Sequence, residues 1–127
     1  MTLPGAVGSL EERRAQGVIE LLVPDLETML AFYTRLGFDL DCRHDGFAVL
    51  SGYGFRLFLA QDTHVPCPPQ RQCNLRIIVD DVESVRALAR QAGAPVSREL
   101  ADRGYGLRDF SVTGPTGFGL RFAQLLP

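Results

Sequence analysis

From residue 17 onward the polarity of the chain follows one pattern, and follows it twice. Val18 to Val23 is β-branched and leucine-rich, broken only by Glu20, which suits a strand with most of one face buried. Pro24 cannot continue a central strand, and Asp25 is a good N-cap for the turn that follows. Leu26, Met29, Leu30, Tyr33 and Leu36 then recur at helical spacing, with Glu27, Thr28 and Arg35 on the other side. Gly37 supplies the left-handed residue that commonly ends a helix. Alternation over Phe38 to Arg43 predicts a strand with Phe38, Leu40 and Cys42 on one face. His44-Asp45-Gly46 is a turn, Phe47 to Ser51 the partner strand, Gly52-Tyr53-Gly54 a second turn, and Phe55 to Ala60 a fourth strand.

Residues 61–72 (QDTHVPCPPQRQ) are polar, hold three prolines and have no periodicity, so they read as a linker. The order then restarts. Asn74 to Val79 is a strand, and Asp81 caps a helix carrying Val82, Val85, Leu88 and Ala89 that closes at Gly93. Val96 to Leu100, Leu107 to Val112 and Phe118 to Ala123 are strands, with a loop at Ala101 to Gly106 and a turn at Gly114 to Gly117.

The two halves superimpose as sequence. A shift of 56 positions sets Asp25 on Asp81, Val23 on Val79, Glu27 on Glu83 and Ala31 on Ala87. A shift of 63 sets GFRLFLAQ (Gly54 to Gln61) on GFGLRFAQ (Gly117 to Gln124), with five of eight positions identical. The difference of seven is a loop insertion, most simply Ala101 to Gly106. The expected fold is therefore α+β: two tandem β-α-β-β-β modules (17–60 and 73–127) whose mixed sheet curls around a cavity, helices outside. Residues 1–16 stand apart as an arm or a short helix, Ser9 and Glu12 having the spacing of a capping box.

Side-chain alternation sorts each strand into two faces. Ile19, Leu21 and Val23, Leu75, Ile77 and Val79, Phe55, Leu57 and Leu59, and Phe118, Leu120 and Phe122 are all apolar and are expected under the helices. The opposite sets contain Glu20, Arg56, Asn74, Arg76 and Arg121. A few charged groups on apolar walls is the general form of a small-ligand site, although a solvated sheet face would look the same.

Composition narrows the classes. The chain has 127 residues, enough for one domain with a real core. A net charge of −2 without a basic cluster argues against nucleic acid. No apolar run is long enough for a membrane span, and the first residues lack the form of a signal peptide. Three cysteines, Cys42, Cys67 and Cys73, are not a disulfide framework. A cytoplasmic protein is expected.

Few residues offer chemistry. His44, His64, Cys67 and Cys73 have zinc-ligand types, but the last three sit in a proline-rich linker without a second spaced pair. Cys42 reads as a small buried hydrophobe. Ser51, Ser84, Ser97 and Ser111 lack a neighbouring histidine-and-acid pattern. Glu20 could serve as a general base, but is more simply the ion-pair partner of Arg76 or Arg121.

LLVPDLETMLAFYTRLGF (Leu21–Phe38), LRIIVDDVESVRALARQAG (Leu75–Gly93) and YGLRDFSVTGPTGFGLRF (Tyr105–Phe122) resemble the vicinal oxygen chelate superfamily, also called the glyoxalase/bleomycin resistance/dioxygenase family. The GLRDF segment is most similar to its bleomycin-resistance branch. That resemblance implies paired modules, a homodimer and a ligand crevice in the curl of the sheets. In metal enzymes of the family the ligand positions correspond to Val18, Phe58, Asn74 and Arg121 here. Valine and phenylalanine cannot ligate, arginine is a permanent cation, and a lone asparagine is a poor ligand. No metal, no other cofactor and no catalytic residue are therefore expected.

The resemblance implies a protein that sequesters a small molecule, with a divergent lyase or isomerase as the alternative. Phe47, Tyr53, Phe58, Tyr105 and Phe110 are the candidates for stacking against the ligand. Glu20, Arg56, Asn74, Arg76, Arg108 and Arg121 are the candidates for orienting its polar groups.

Overall fold

The computed structural model describes residues 17–64 and 74–127. The N-terminal segment, Cys67 and Cys73 lie outside those residues. Module one runs β1 (Ile19–Val23), α1 (Leu26–Arg35), β2 (Asp39–His44), β3 (Phe47–Gly52) and β4 (Phe55–Gln61). Module two repeats it as β5 (Asn74–Ile78), α2 (Val82–Gln91), β6 (Val96–Asp102), β7 (Leu107–Thr113) and β8 (Gly119–Leu125). Each module folds into its own four-stranded mixed sheet, ordered β1-β4-β3-β2 and β5-β8-β7-β6. In each, the first strand runs parallel to the last because the helix carries the chain back across the sheet.

The duplication extends to how the helices start. Asp25 accepts from the Glu27 amide at 3.2 Å and Asp81 from the Ser84 amide at 3.2 Å. The free amide at the very start of each helix goes elsewhere. Leu26 N donates to Gln61 Oε1 at 3.0 Å, and Val82 N donates to Gln124 Oε1 at 2.9 Å. These are the glutamines of the repeated Ala-Gln at the ends of β4 and β8, so each helix is stitched to the strand beneath it. At the other end of α1, Gly37 has φ +108°, and a Cβ there would meet Tyr53 Oη at 2.6 Å. Only glycine fits.

A single hydrophobic core joins both modules, containing Leu26, Met29, Tyr33, Leu57 and Leu59 from the first and Val82, Ala89, Leu120 and Phe122 from the second. Each fully buried leucine, valine, methionine or phenylalanine of this core contributes roughly 1.5–3 kcal/mol. Tyr53 bridges the halves. Its ring packs edge-on to Phe38 and Phe122, both at 5.2 Å between centroids, and its hydroxyl donates to Leu36 O. Tyr53 and Gly54 have φ of +53° and +86°, the form of the two-residue turns that match strand twist.

Two local expectations are corrected. A β-bulge between Leu40 and Cys42 breaks the alternation in β2, so Leu40 pairs with Leu50 while Cys42 pairs with Val49 on the other face. Leu40 is exposed and Cys42 half-buried, so neither packs beside Phe38 as one face. β6 also continues to Asp102, through two irregularities, which confines the loop of module two to residues 103–106.

Candidate functional site

An open cleft of about 340 Å³ is lined by β1 and β4 of the first sheet, the turn before β4, and β5 of the second. Its walls include Ile19, Tyr53, Phe55, Leu75 and Ile78, and its polar groups are Arg56 and Arg76. Each arginine is anchored from its own sheet. Arg56 Nε lies 3.3 Å from Asp41 Oδ2, and Asp41 also accepts from Ser51 Oγ at 2.8 Å. Arg76 Nη1 donates to Asp109 Oδ2 at 3.1 Å and its guanidinium sits over the Tyr105 ring, 5.7 Å from the centroid.

Asp109 is the centre of module two's helix-free face. The residue is 1% exposed. Besides Arg76 it accepts from Arg103 Nε at 2.8 Å and from the Tyr105 hydroxyl at 2.7 Å. Burial pushes its carboxyl up, but the bonds from Arg103, Tyr105 and Arg76 outweigh this and hold it below the usual carboxylate range. Arg103 and Tyr105 both come from the insertion that distinguishes module two from module one.

The candidate residues divide cleanly. Tyr53, Arg56 and Arg76 line the cleft. Phe58 pairs in register with Glu20 on sheet one's helix-free face, and Phe47 meets Phe58 edge-on at 5.3 Å. Asn74 lies across Gly119, and Arg121 stands in register with Arg76. Arg108 and Phe110 are corrections. They occupy the opposite face of β7, where Arg108 pairs with Glu83 of α2 and with Asp102, and Phe110 is fully buried against Phe122 beneath Arg86. A ring with no exposed surface cannot stack on a ligand. Glu20 is corrected too: it is exposed and makes no ion pair among the described residues, and Arg76 pairs with Asp109 instead.

Asp109, Arg103 and Ser111 are the residues of this face that the sequence reading passed over. The signal was present in β7, where Phe110 and Val112 alternate with Asp109, Ser111 and Thr113. The apolar pair belongs under the helix, which places Asp109 and Ser111 on the other side.

No group of three or more histidine, cysteine, aspartate or glutamate side chains among the described residues could hold a metal ion. The family's metal positions do not fit one either. Phe58 and Arg121 occupy the last-strand positions of the two modules, and Val18 and Asn74 the first-strand positions.

A family model described as Glyoxalase/Bleomycin resistance protein/Dioxygenase superfamily matches residues 15–122. This chain belongs to that superfamily. Solved structures similar to it include a glyoxalase/bleomycin resistance protein/dioxygenase from Alicyclobacillus acidocaldarius, 20% identical with a TM-score of 0.76, covering 93% of this chain and 96% of that one. A bleomycin resistance determinant encoded on the transposon Tn5 is 21% identical with a TM-score of 0.75, covering 88% and 98%. A bleomycin-binding protein complexed with bleomycin is 22% identical with a TM-score of 0.71, covering 87% and 98%. At such identities the likeness is one of fold. No curated protein matches the chain. Among its described residues this superfamily member has no helix long and apolar enough to cross a membrane.

Proposed function

We propose that this superfamily member is a metal-independent small-molecule-binding protein that acts by sequestration, in the manner of the bleomycin-resistance branch. The observation that carries the reading is the exchange at the family's metal positions. Valine, phenylalanine, asparagine and arginine stand there, while an open cleft with two anchored arginines on apolar walls is kept. Binding of this kind needs concavity, apolar contact and a few polar groups that fix orientation. A Lewis acid at those positions would need ligands that the residues do not supply.

The binding form is a cytoplasmic homodimer. Leu22 and its counterpart Ile78 are 53% and 51% exposed on the helix-free faces of their sheets, and a second copy would cover them.

Native mass spectrometry on freshly purified protein tests the reading, followed by titration with metal-free bleomycin. A metal-free dimer that carries a co-purified compound or captures the antibiotic is expected. One stoichiometric transition metal per subunit, or turnover abolished by Glu20→Gln, would overturn it in favour of an enzyme.

A further inference from the structure

We propose that the helix-free face of module two is an oxyanion-binding surface, and that the ligand is a small organic acid. Its carboxylate or phosphate lies on that face and its apolar body enters the seam cleft. The proposal rests on the binding reading above and names the ligand class for it.

Four residues form one row across the four strands. Arg98 of β6 pairs with Ser111 of β7, Ser111 with Arg121 of β8, and Arg121 with Arg76 of β5. Residues paired in register share a face and are close neighbours. Two arginines, Arg98 and Arg121, therefore flank one hydroxyl, and Arg76 stands next in the row beyond Arg121. That hydroxyl is itself an anomaly: Ser111 is 6% exposed, and its Oγ has no hydrogen-bond partner among the described residues. Buried hydroxyls are normally satisfied, so an unpartnered donor between arginines points to an acceptor supplied by a ligand.

The charges do not cancel within the chain. Asp109 is the carboxylate among the described residues that meets this face, and it is shared between Arg76 and Arg103. Neither Arg121 nor Arg98 makes an ion pair or hydrogen bond among the described residues, although Arg121 lies directly beside Arg76. Like charges set side by side in a sheet are unfavourable, and an oxyanion bridging them removes the conflict.

Folding does not require this arrangement, because module one does without it. The counterpart of Ser111 paired with Arg121 is Val49 paired with Phe58, and the counterpart of Asp109 is Phe47. There the same ladder positions hold an apolar cluster closed by the edge-on contact of Phe47 and Phe58. At these positions module one carries Phe47, Val49 and Phe58 where module two carries Asp109, Ser111 and Arg121, and Glu20 is the counterpart of Arg76. Arginine forks suit planar carboxylates and phosphates alike. Arg76, which belongs to both the row and the cleft, joins the anionic end of the site to its apolar end.

The test is titration of the full chain with inorganic phosphate and, separately, with benzoate, at constant ionic strength set with chloride. Binding is followed by two-dimensional ¹H–¹⁵N spectra that include the arginine Nε–Hε signals. Expected are saturable shifts centred on Ser111 and Arg121, weakened at least tenfold by Arg121→Gln, reduced by Ser111→Ala, and unchanged by Arg43→Gln, whose guanidinium pairs with Glu27 on the far side of sheet one. Preference for phosphate or for benzoate identifies the head group. If Arg121→Gln does not fold, Ser111→Ala and Arg121→Lys carry the comparison. Absence of a saturable shift with either anion, or shifts that survive Arg121→Gln, overturns the proposal. Protein that captures metal-free bleomycin yet shows neither anion shift overturns the oxyanion surface and leaves sequestration standing. Protein that binds none of the three overturns both.

Discussion

Gln124 Oε1 accepts the hydrogen bond of the Val82 amide at 2.9 Å, tying the end of β8 to the first turn of α2. Gln61 does the same for Leu26 at 3.0 Å in module one. The two bonds are related by the internal duplication. They explain why a glutamine stands at the same place in both modules.

Each glutamine is expected to act as a helix cap donated from another strand. Gln61→Ala and Gln124→Ala should each lower stability by about 1 kcal/mol. The sites share no partner, so the double variant should lose close to the sum. Urea midpoints at constant slope check this. A negligible effect in both single variants would show that water serves the two amides equally well.

Asp109 neutralises two arginines from a nearly inaccessible position. Asp109→Ala leaves Arg76 and Arg103 without their anion and is expected to cost about 3 kcal/mol. The pH dependence has a definite sign. Because the folded chain holds this carboxyl below its ordinary range, its contribution is present above about pH 4 and is lost as the pH falls through the lowered value. The stability gap between the parent chain and Asp109→Asn should therefore narrow on acidification. A gap independent of pH would show that the packing of the side chain, and not its charge, matters.

Tyr33 presents the opposite case. Its ring is fully buried between Phe32 and Phe38, and its hydroxyl has no partner among the described residues. Burial alone pushes this phenol far above its ordinary value. Tyr33→Phe removes a desolvated hydroxyl at little change in volume, so it should raise stability by about 1 kcal/mol. A higher melting temperature is the expected reading, and a fall would point to a hydroxyl satisfied by buried water.

The two helices, the duplicated order of elements and the helix-facing apolar sets of β1, β4, β5 and β8 were all legible in the sequence. Those features rest on local rules: a capping aspartate, a helical period, a terminal glycine and strict alternation. Alternation failed where the backbone departed from it. The bulge at Leu40–Cys42 rotates the end of β2, and nothing in the side chains of that strand announces an extra residue. In β7 the choice of Arg108 and Phe110 for the site followed residue type and set aside the phase that Phe110 and Val112 impose.

The sequence by itself determined the modules and which face of most strands is apolar, because these depend on spacing along the chain. It also determined that the family's metal positions lack ligands, since Val18 and Phe58 have no donor atoms. Only the tertiary structure decided which charges meet. Arg76, Arg103, Tyr105 and Asp109 converge from β5, a loop and β7, and the row from Arg98 to Arg76 exists only once four strands are in register. Strand register is a long-range choice, set by how the whole sheet buries its apolar face. For that reason Glu20, expected to pair with Arg76 or Arg121, does not meet Arg76, whose partner is Asp109, 33 residues away.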